Sequence, residues 1–465
     1  MNTIEFIQKI RNGEIDPAEN IARVMEEISK LNKEYNHFNM IADDAEKQAK
    51  NINLKGRLAG LPVSVKDCIC VKGMESRSGS KILSGYKPVF DATAVRKVRE
   101  EGGIIIGKTS QDEFGFGSFS SNMGEGFETP LNPVDKKRAC GGSSGGSGGI
   151  TAKISFPHIS LGESTGGSIA SPASFCGVTG LCPTYGRVSR YGLIDYGNSL
   201  DKIGPMAKSV SGAALMLEII AGHDKNESTS LDKPVDAYTD YLQKDIKGMR
   251  IGVIREAFGE GIDDEVSEKV KDAISRLEDM GAKTEEVSLP LTMKYGIPAY
   301  YLISTSEAST NLAKFCGMRY GKTEELEDGF NKYFSKVRSS NLGEEAKRRI
   351  MLGTFARMAG YRDAYYIKAL KVRSMIIKEY KKVFKKFDLL ASPTMPSIAP
   401  KFSDIEKLSP LQQYMMDVLT VGPNIAGLPH LSVNAGELKG MPVGMMMVGD
   451  HLEEKKLVQA GGKLE

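Results

Sequence analysis

Three segments in the first half of the chain contain residue types suited to nucleophilic chemistry. "ACGGSSGGSGGITAKI" (139–154) and "LGESTGGSIASPASFCGVTGL" (161–181) are rich in serine and glycine, and "LPVSVKDCI" places Lys66 after an apolar run. A serine attacks a carbonyl carbon when a neighbouring base takes its proton. These segments could therefore form an acyl-transfer site. A flexible linker and a phosphate-binding loop have similar compositions and are the alternatives.

The segment 161–181 predicts a tight turn into a helix. The residues after "TGGS" can be helical only if Pro172 lies in the first turn, where a missing N–H group costs little. Gly166, Gly167 and Ser168 then lie at the helix start, where unpaired N–H groups favour negative charge. Such groups could hold the oxyanion formed when Ser168 attacks a carbonyl. An ordinary glycine-rich turn remains the alternative. A phosphate loop is disfavoured because the GxxxxGK[ST] pattern is absent.

The proton acceptor for such a serine is not an obvious histidine. None of the five histidines lies in a context that singles it out; they are His37, His158, His223, His430 and His451. Lys66 ends a run that predicts a buried strand, and burial weakens the preference of a lysine for its charged form. Lys66 is therefore the candidate base, and an exposed lysine at a strand end is the alternative.

Composition excludes several classes of protein. Lys and Arg number 62 and Asp and Glu 59, a net charge of +3, which does not favour a stand-alone nucleic-acid-binding protein. The chain has neither a secretory signal pattern nor 18 consecutive apolar residues, so we expect a cytoplasmic protein without a membrane span. The six cysteines show neither a CxxC pair nor zinc-site spacing, which predicts free thiols and no metal site.

Hydrophobic patterning predicts one large α/β domain. Residues 1–50 contain two amphipathic helical patterns, and further helices are predicted over 264–281 and from about 344 to 386. Charge-rich residues 320–347 are a candidate helical insertion. The predicted strands lie in short apolar runs: "LAGLPVSVKDCICV", "GGIIIGKTS", "KGMRIGVI", "FDLLASPTMP", "LSVNAG" and "MPVGMMMVG". Helices alternating with short apolar strands are typical of α/β folds.

The motifs "GLPVSVKD", "GGSSGGS" and "TGGSIASPASFCGVTGLCPTYGRVSRYG" together resemble those of the amidase signature family. The resemblance implies a single domain over 1–465 with its core at 60–210 and a central mixed β-sheet covered by helices on both faces. It also implies a triad in which Ser168 is the nucleophile, Ser143 the bridging serine after a cis peptide bond, and Lys66 the base. The implied oxyanion donors are the backbone N–H groups of Thr165, Gly166, Gly167 and Ser168.

Two positions depart from the pattern of that family. Ser164 takes the place of the aspartate in the usual "SDTGGS", and Glu163 precedes it. Cys182 stands where a lysine is common. The triad residues are all present, so the departures concern the hydrogen bonds around them.

The second half of the chain is similar to one branch of the family, the glutamine-hydrolysing A subunits of tRNA-dependent amidotransferases. The similarity lies in "SEASTNLAKFCGMRYG", "EEAKRRIMLGTFARMAGYRDAYYIKALKVR" and "GPNIAGLPHLSV". It implies a heterotrimer with the B and C subunits, in which B amidates Glu-tRNA(Gln) or Asp-tRNA(Asn) with the ammonia released here. ATP and Mg²⁺ would serve the partner, and this chain would need no cofactor of its own.

The same similarity implies three residues that bind glutamine. Arg349 would bind the α-carboxylate, Asp417 the α-ammonium group, and Tyr300 would form a wall of the pocket. An arginine suits the first role because its planar fork binds carboxylates bidentately. Arg348 and Tyr301 are the neighbours at which the alignment could be shifted. A stand-alone amidase acting on another small amide and a non-catalytic scaffold are the alternative functions.

Overall fold

The computed structural model describes residues 1–326 and 329–465, and its strands form one eleven-stranded sheet. The strands are β1 Phe38–Ile41, β2 Pro62–Lys66, β3 Ile104–Thr109, β4 Ile159–Ser164, β5 Thr179–Cys182, β6 Lys202–Ala207, β7 Arg250–Ile254, β8 Lys283–Val287, β9 Leu389–Pro393, β10 His430–Leu438 and β11 Met441–Gly449. Their order across the sheet is β1-β3-β2-β4-β6-β5-β10-β11-β9-β7-β8. Parallel and antiparallel pairs both occur, which confirms the mixed α/β sheet.

Helices cover the sheet and fill most connections between strands. They are α1 Thr3–Arg11, α2 Pro17–Tyr35, α3 Ala45–Ala49, α4 Thr93–Glu100, α5 Gly145–Lys153, α6 Ala170–Cys176, α7 Val210–Ile220, α8 Asp264–Asp279, α9 Pro290–Asn311, α10 Phe330–Asn341, α11 Glu344–Arg357, α12 Lys368–Val383, α13 Phe402–Ile405, α14 Pro410–Met415, α15 Val421–Ala426 and α16 Glu454–Gly461. In β11, Met445 and Met447 belong to one apolar cluster and Met446 and Val448 to another, so both faces of the strand are covered.

The predicted elements are largely present, with two corrections. The first fifty residues contain the two expected helices and, in addition, β1 and α3. The helix expected from about 344 to 386 is wrong as one element, because α11 ends at Arg357 and a π-helical turn at Asp363–Ile367 precedes α12. The sequence "MAGYR" separates the two, and Gly360 there has φ +89°, a conformation that an α-helix excludes. Within the candidate insertion 320–347 the structure forms α10, and residues 327–328 lie outside the described residues.

The position of β2 explains how a lysine reaches the interior. β2 lies between β3 and β4 and runs parallel to both, and all five of its residues are buried. The carboxyl ends of parallel strands meet at one edge of the sheet. Lys66 at the end of β2 therefore lies beside the last residues of β4, where the segment "ESTGGS" begins. No helix within residues 1–326 and 329–465 is long and apolar enough to cross a membrane.

Candidate active site

Lys66 is completely buried and makes three hydrogen bonds. Its Nζ donates to Ser143 Oγ at 2.8 Å, to the Glu163 carbonyl oxygen at 2.9 Å and to Glu163 Oε2 at 2.8 Å. A buried ammonium group is very unfavourable unless such partners surround it. The structure thus brings Lys66 and Ser143 together as the triad requires. The alternative of an exposed lysine at a strand end is wrong.

The loop of Ser143 is buried and ordered by close packing. The peptide bond between Gly142 and Ser143 is cis, as expected, and α5 begins two residues later at Gly145. A Cβ atom on Gly142 would lie 2.4 Å from Asp112 Oδ2, and one on Gly146 would lie 2.4 Å from the His37 carbonyl oxygen. These glycines are required because neighbouring atoms occupy the space that a side chain would take. The interpretation of 139–154 as a flexible linker is therefore wrong.

Ser168 lies in the turn between β4 and α6. β4 ends at Ser164 and α6 begins at Ala170, so Pro172 falls in the first helical turn as predicted. Ser168 is 7% exposed, and its carbonyl oxygen accepts a hydrogen bond from Ser144 N–H at 3.3 Å. This contact joins the turn of Ser168 to the loop of Ser143.

The two glycines before Ser168 are confined by different neighbours. A Cβ atom on Gly166 would lie 2.4 Å from the ring of Tyr300, and one on Gly167 would lie 2.3 Å from Thr420 Oγ1. Gly167 also has φ +153°, which side-chain-bearing residues rarely adopt. The predicted oxyanion donors Thr165, Gly166 and Gly167 thus lie on a fixed backbone.

Ser164 replaces the usual aspartate and binds that backbone. Ser164 Oγ accepts a hydrogen bond from Gly167 N–H at 3.2 Å and donates to Asn424 Oδ1 at 3.4 Å. The N–H group of Gly167, one of the predicted oxyanion donors, is therefore already hydrogen-bonded within the turn. Asn424 lies in α15, so Ser164 connects the turn to the second half of the chain.

Cys182, which replaces a lysine common in the family, lies beside another buried lysine. Lys202 Nζ donates to the Leu428 carbonyl oxygen at 3.1 Å, and its ammonium charge acts on the Cys182 thiol. Burial lowers the pKa of Lys202, and contact with Cys182 partly opposes this shift. Cys182, at the end of β5, therefore lies against Lys202, the first residue of β6. All six cysteines are free thiols in the structure.

Arg349, predicted to bind a carboxylate, is a buried cation among aromatic rings. Its Nε donates to Glu345 Oε1 at 2.7 Å and its Nη1 to Tyr196 Oη at 2.8 Å. Its guanidinium carbon lies 5.2 Å from the ring centres of Tyr301 and Tyr414. Such contacts stabilise a desolvated cation. The neighbouring Arg348 has a side chain 40% exposed, so burial selects Arg349 for the pocket.

Asp417 and two adjacent tyrosines complete this side of the pocket. Tyr301 Oη donates to Asp417 Oδ2 at 2.8 Å, and burial raises the pKa of Asp417 to about 6. The ring of Tyr300 meets the ring of Tyr301 edge-on at 4.9 Å and covers Gly166 on its other side. The predicted Tyr300, Arg349 and Asp417 are therefore assembled next to the turn of Ser168. Tyr301 belongs to the site as well, and is not merely an alternative to Tyr300.

Several residues of the site were not predicted from the sequence. Burial raises the pKa of Asp112 to about 6, and its carboxylate accepts hydrogen bonds from the N–H groups of Ser120 and Asn122. The others are Tyr196, Asp201, Glu345 and Tyr414. Asp112, Tyr196, Asp201 and Tyr414 become part of the site through contacts that local sequence does not reveal, whereas Glu345 binds Arg349 four residues away on α11, a spacing that the sequence could have signalled. Within residues 1–326 and 329–465, no cluster of three or more His, Cys, Asp or Glu side chains could hold a metal ion.

Comparison with known proteins identifies the family of this chain. The family model described as Amidase matches residues 19–458. The chain belongs to the amidase family. The A subunit of the glutamyl-tRNA(Gln) amidotransferase of Halothermothrix orenii is 44% identical over 462 residues, covering 99% of this chain and 96% of that protein. The protein of the same name from Heliobacterium modesticaldum is 47% identical over 427 residues, covering 90% of this chain and 87% of its own.

A crystal structure extends the similarity to the fold. The A subunit of the glutamyl-tRNA(Gln) amidotransferase of Thermotoga maritima superposes with a TM-score of 0.80 at 37% identity. The superposition covers 95% of this chain and 90% of that one. This member of the amidase family therefore shares the fold of that subunit over nearly its whole length.

Proposed function

We propose that this chain is a glutamine amidohydrolase, the A subunit of a tRNA-dependent amidotransferase. One observation carries the proposal: buried Arg349 and Asp417, which carry opposite charges, both contact Tyr301, and the adjacent Tyr300 covers Gly166 in the turn of Ser168. An α-amino acid carries a carboxylate and an ammonium group on one carbon, and this pair of charges matches both. The names of the relatives support the same activity.

The chemistry begins with attack of Ser168 Oγ on the side-chain amide carbon of glutamine. Ser143 takes the proton of Ser168 and passes its own proton to Lys66, which acts as the base in its neutral form. Backbone N–H groups of the turn stabilise the oxyanion. As the C–N bond breaks, a proton returned through Ser143 lets ammonia leave. Water then hydrolyses the glutamyl ester on Ser168 by the reverse sequence of proton transfers.

The released ammonia serves a reaction in a partner. We propose that the B and C subunits complete a heterotrimer and that B amidates Glu-tRNA(Gln), Asp-tRNA(Asn) or both. ATP and Mg²⁺ act in that partner, so this chain needs no cofactor of its own. The cytoplasm, where tRNA is aminoacylated, is the compartment that this proposal requires.

A pair of assays with Ser168→Ala tests this proposal. The variant, assembled with both partner subunits, should lose glutamine-dependent amidation of tRNA but retain amidation from free ammonium. Ser171→Ala is the matched control, because Ser171 is also buried and its Oγ binds only a backbone carbonyl, that of Ser118, at 3.3 Å. Glutamine-dependent activity of Ser168→Ala near that of the wild type would exclude Ser168 as the nucleophile. Loss of both activities would indicate a folding or assembly defect.

Substrate selectivity distinguishes a glutaminase subunit from a stand-alone amidase. The wild-type complex should hydrolyse glutamine in strong preference to simple primary amides that lack the α-carboxylate and α-ammonium groups. Equal hydrolysis of both kinds of amide, with no amidation of tRNA, would instead support the stand-alone amidase.

A further inference from the structure

A buried hydroxyl group joins two carboxylates next to the lysine of the triad. Thr165 Oγ1 lies 2.9 Å from Glu163 Oε1 and 2.8 Å from Asp201 Oδ1. None of these three residues is more than 3% exposed. The other oxygen of Glu163, Oε2, receives the hydrogen bond from Lys66 Nζ at 2.8 Å. One connected path therefore runs from Lys66 through Glu163 and Thr165 to Asp201.

The number of protons in this path is limited by the chemistry of the hydroxyl group. A threonine hydroxyl has one proton to donate and two lone pairs to accept with. If both carboxylates were ionised, the Thr165 hydroxyl could donate to only one of them. Its lone pairs would then face the lone pairs of the other carboxylate oxygen, which is repulsive. A second proton, on one of the carboxylates, converts that contact into a hydrogen bond in which Thr165 accepts. The geometry is satisfied when Glu163 and Asp201 together hold one proton.

The surrounding charges agree with a shared proton. Burial, and then the charge of Glu163, raise the pKa of Asp201 well above its usual range, although Asp201 accepts hydrogen bonds from Tyr196 N–H and Gly197 N–H. Like charges this close disfavour double ionisation. Other titratable or charged groups that face the pair include Lys66 on β2, Cys68 after β2, Cys182 on β5, Arg190 and Glu307 on α9.

We propose that Glu163 and Asp201 share one proton through the Thr165 hydroxyl and that its position sets the charge presented to Lys66. The inference rests on the proposed function, in which Lys66 must become neutral to act. It makes Glu163, Thr165 and Asp201 positioning residues for the proton transfer. It also gives a role to Glu163, the residue that precedes the departure from the family pattern at Ser164.

The transfer balances atom by atom. Asp201 Oδ1 gives its proton to Thr165 Oγ1 while Thr165 gives its own proton to Glu163 Oε1, so two O–H bonds break and two form. Asp201 becomes the carboxylate, held by two backbone N–H groups, and Glu163 becomes the neutral acid. Lys66 then lacks its negative counter-charge, which favours the neutral amine. The reverse transfer restores the ion pair between Lys66 and Glu163.

Infrared difference spectroscopy of the full chain in H₂O and D₂O detects the proton without any substrate. At pH about 8, about two units above the pKa of about 6 of Asp112 and Asp417, the wild type should show the C=O band of a protonated carboxylic acid. Burial also raises the pKa of Glu113 and Glu465, so the signal is the part of the band that Glu163→Gln and Asp201→Asn each remove and Thr165→Ser keeps. Absence of the band in a folded wild type, or a band of unchanged intensity in both carboxylate variants, would overturn the proposal.

The pH profile of glutamine hydrolysis separates this role from simple support of the fold. Glu163→Gln should move the acid limb of kcat down by about one pH unit, because the counter-charge of Lys66 is lost. Thr165→Val should move it up by a similar amount, because the proton stays on Asp201 and Glu163 stays ionised. Thr165→Ser should restore the wild-type profile. Shifts of both variants in the same direction would contradict the shared proton. An inactive chain that still shows the infrared band would contradict the proposed function instead.

Discussion

The serine side and the recognition side of the site are held in place by different kinds of contact. On the serine side, Gly142, Gly166 and Gly167 bring the backbone into close contact with its neighbours, and short polar side chains bind one another. On the recognition side, Arg349 and Asp417 are held by aromatic side chains on α9 and α14. The serine side is therefore fixed mainly by its backbone, and the recognition side by contacts between side chains.

This difference predicts different consequences of mutation. Changes on the serine side should reduce the rate of the chemical step, because reacting atoms must be held within a fraction of an ångström. Changes on the recognition side should mainly weaken glutamine binding, because the charges that bind its α-groups do not take part in bond breaking. Four variants, in order of decreasing effect, test this distinction.

Lys66→Arg should reduce kcat for glutamine by roughly 10³-fold or more, because a guanidinium group cannot give up a proton to become the base. Lys108→Arg is the matched control. Lys108 is also fully buried, but its Nζ binds the carbonyl oxygens of Asp67 and Ile69 outside the triad. Steady-state kinetics of both variants, with a thermal unfolding curve for each, provide the measurement. Substantial activity of Lys66→Arg at neutral pH would make Lys66 a structural cation only.

Gly166→Ala should lower kcat by about 10²-fold, because a displacement of about 1 Å at a reacting group has an effect of this size. The added methyl group would overlap the ring of Tyr300, so either the turn or the ring must move. Adding Tyr300→Ala to this variant removes the ring that the methyl group overlaps, and the double variant should recover part of kcat. Its KM for glutamine should stay above that of the wild type, because the Tyr300 wall is lost. If Gly166→Ala alone kept the wild-type kcat, the turn would be more adaptable than its contacts indicate.

Arg349→Lys should raise KM for glutamine by roughly 10- to 100-fold with a smaller change in kcat, because lysine cannot form the bidentate contact with a carboxylate. Arg348→Lys, one residue away with its side chain 40% exposed, is the control and should leave KM nearly unchanged. Amidation from free ammonium should be equal in both. A fall in kcat without a rise in KM would place Arg349 on the catalytic side of the comparison.

The ionisation of Asp417 should appear in KM rather than in kcat. Burial raises the pKa of Asp417 to about 6, so its carboxylate becomes protonated as the pH falls through 6 and no longer attracts the α-ammonium group. We expect KM to rise by up to about tenfold per pH unit below that point. Asp417→Asn should have a high KM without this dependence. Asp112→Asn is the control, because Asp112 also has a pKa of about 6, and this variant should retain the pH dependence of KM. Loss of that dependence in Asp112→Asn would assign it to Asp112 instead of Asp417.

The sequence was most informative where function depends on residues close together in the chain. "TGGSIASP" was sufficient to predict the turn into α6 and the position of Pro172, because glycine and proline restrict the backbone locally. The α/β pattern followed from short apolar runs between helices. The break between α11 and α12 was missed because the residues on both sides of Gly360 favour helix, and the segment that interrupts them is only a few residues long.

The residues proposed to bind the α-groups of glutamine were named only through resemblance to the family. Tyr300, Arg349 and Asp417 come from α9, α11 and the residues after α14, and nothing in their local sequence distinguishes Arg349 from Arg348. Tertiary packing around α11, including the rings of Tyr301 and Tyr414, buries Arg349 and leaves Arg348 partly exposed. Which of two adjacent helical residues is buried depends on the elements that pack against the helix, and these cannot be predicted from the local sequence.

Local sequence was enough to predict the turn of Ser168 and the buried strand that ends at Lys66, because glycine, proline and an apolar run act over a few residues, whereas Ser143 and the triad as a whole were implied by the resemblance to the family. Contacts between distant segments determined which charged groups lie close together. The parallel pairing of β2 with β4 places Glu163 against Lys66, and the approach of Asp201 to Thr165 completes their network. Electrostatic interactions depend on distance and burial, and both are set only when the chain has folded.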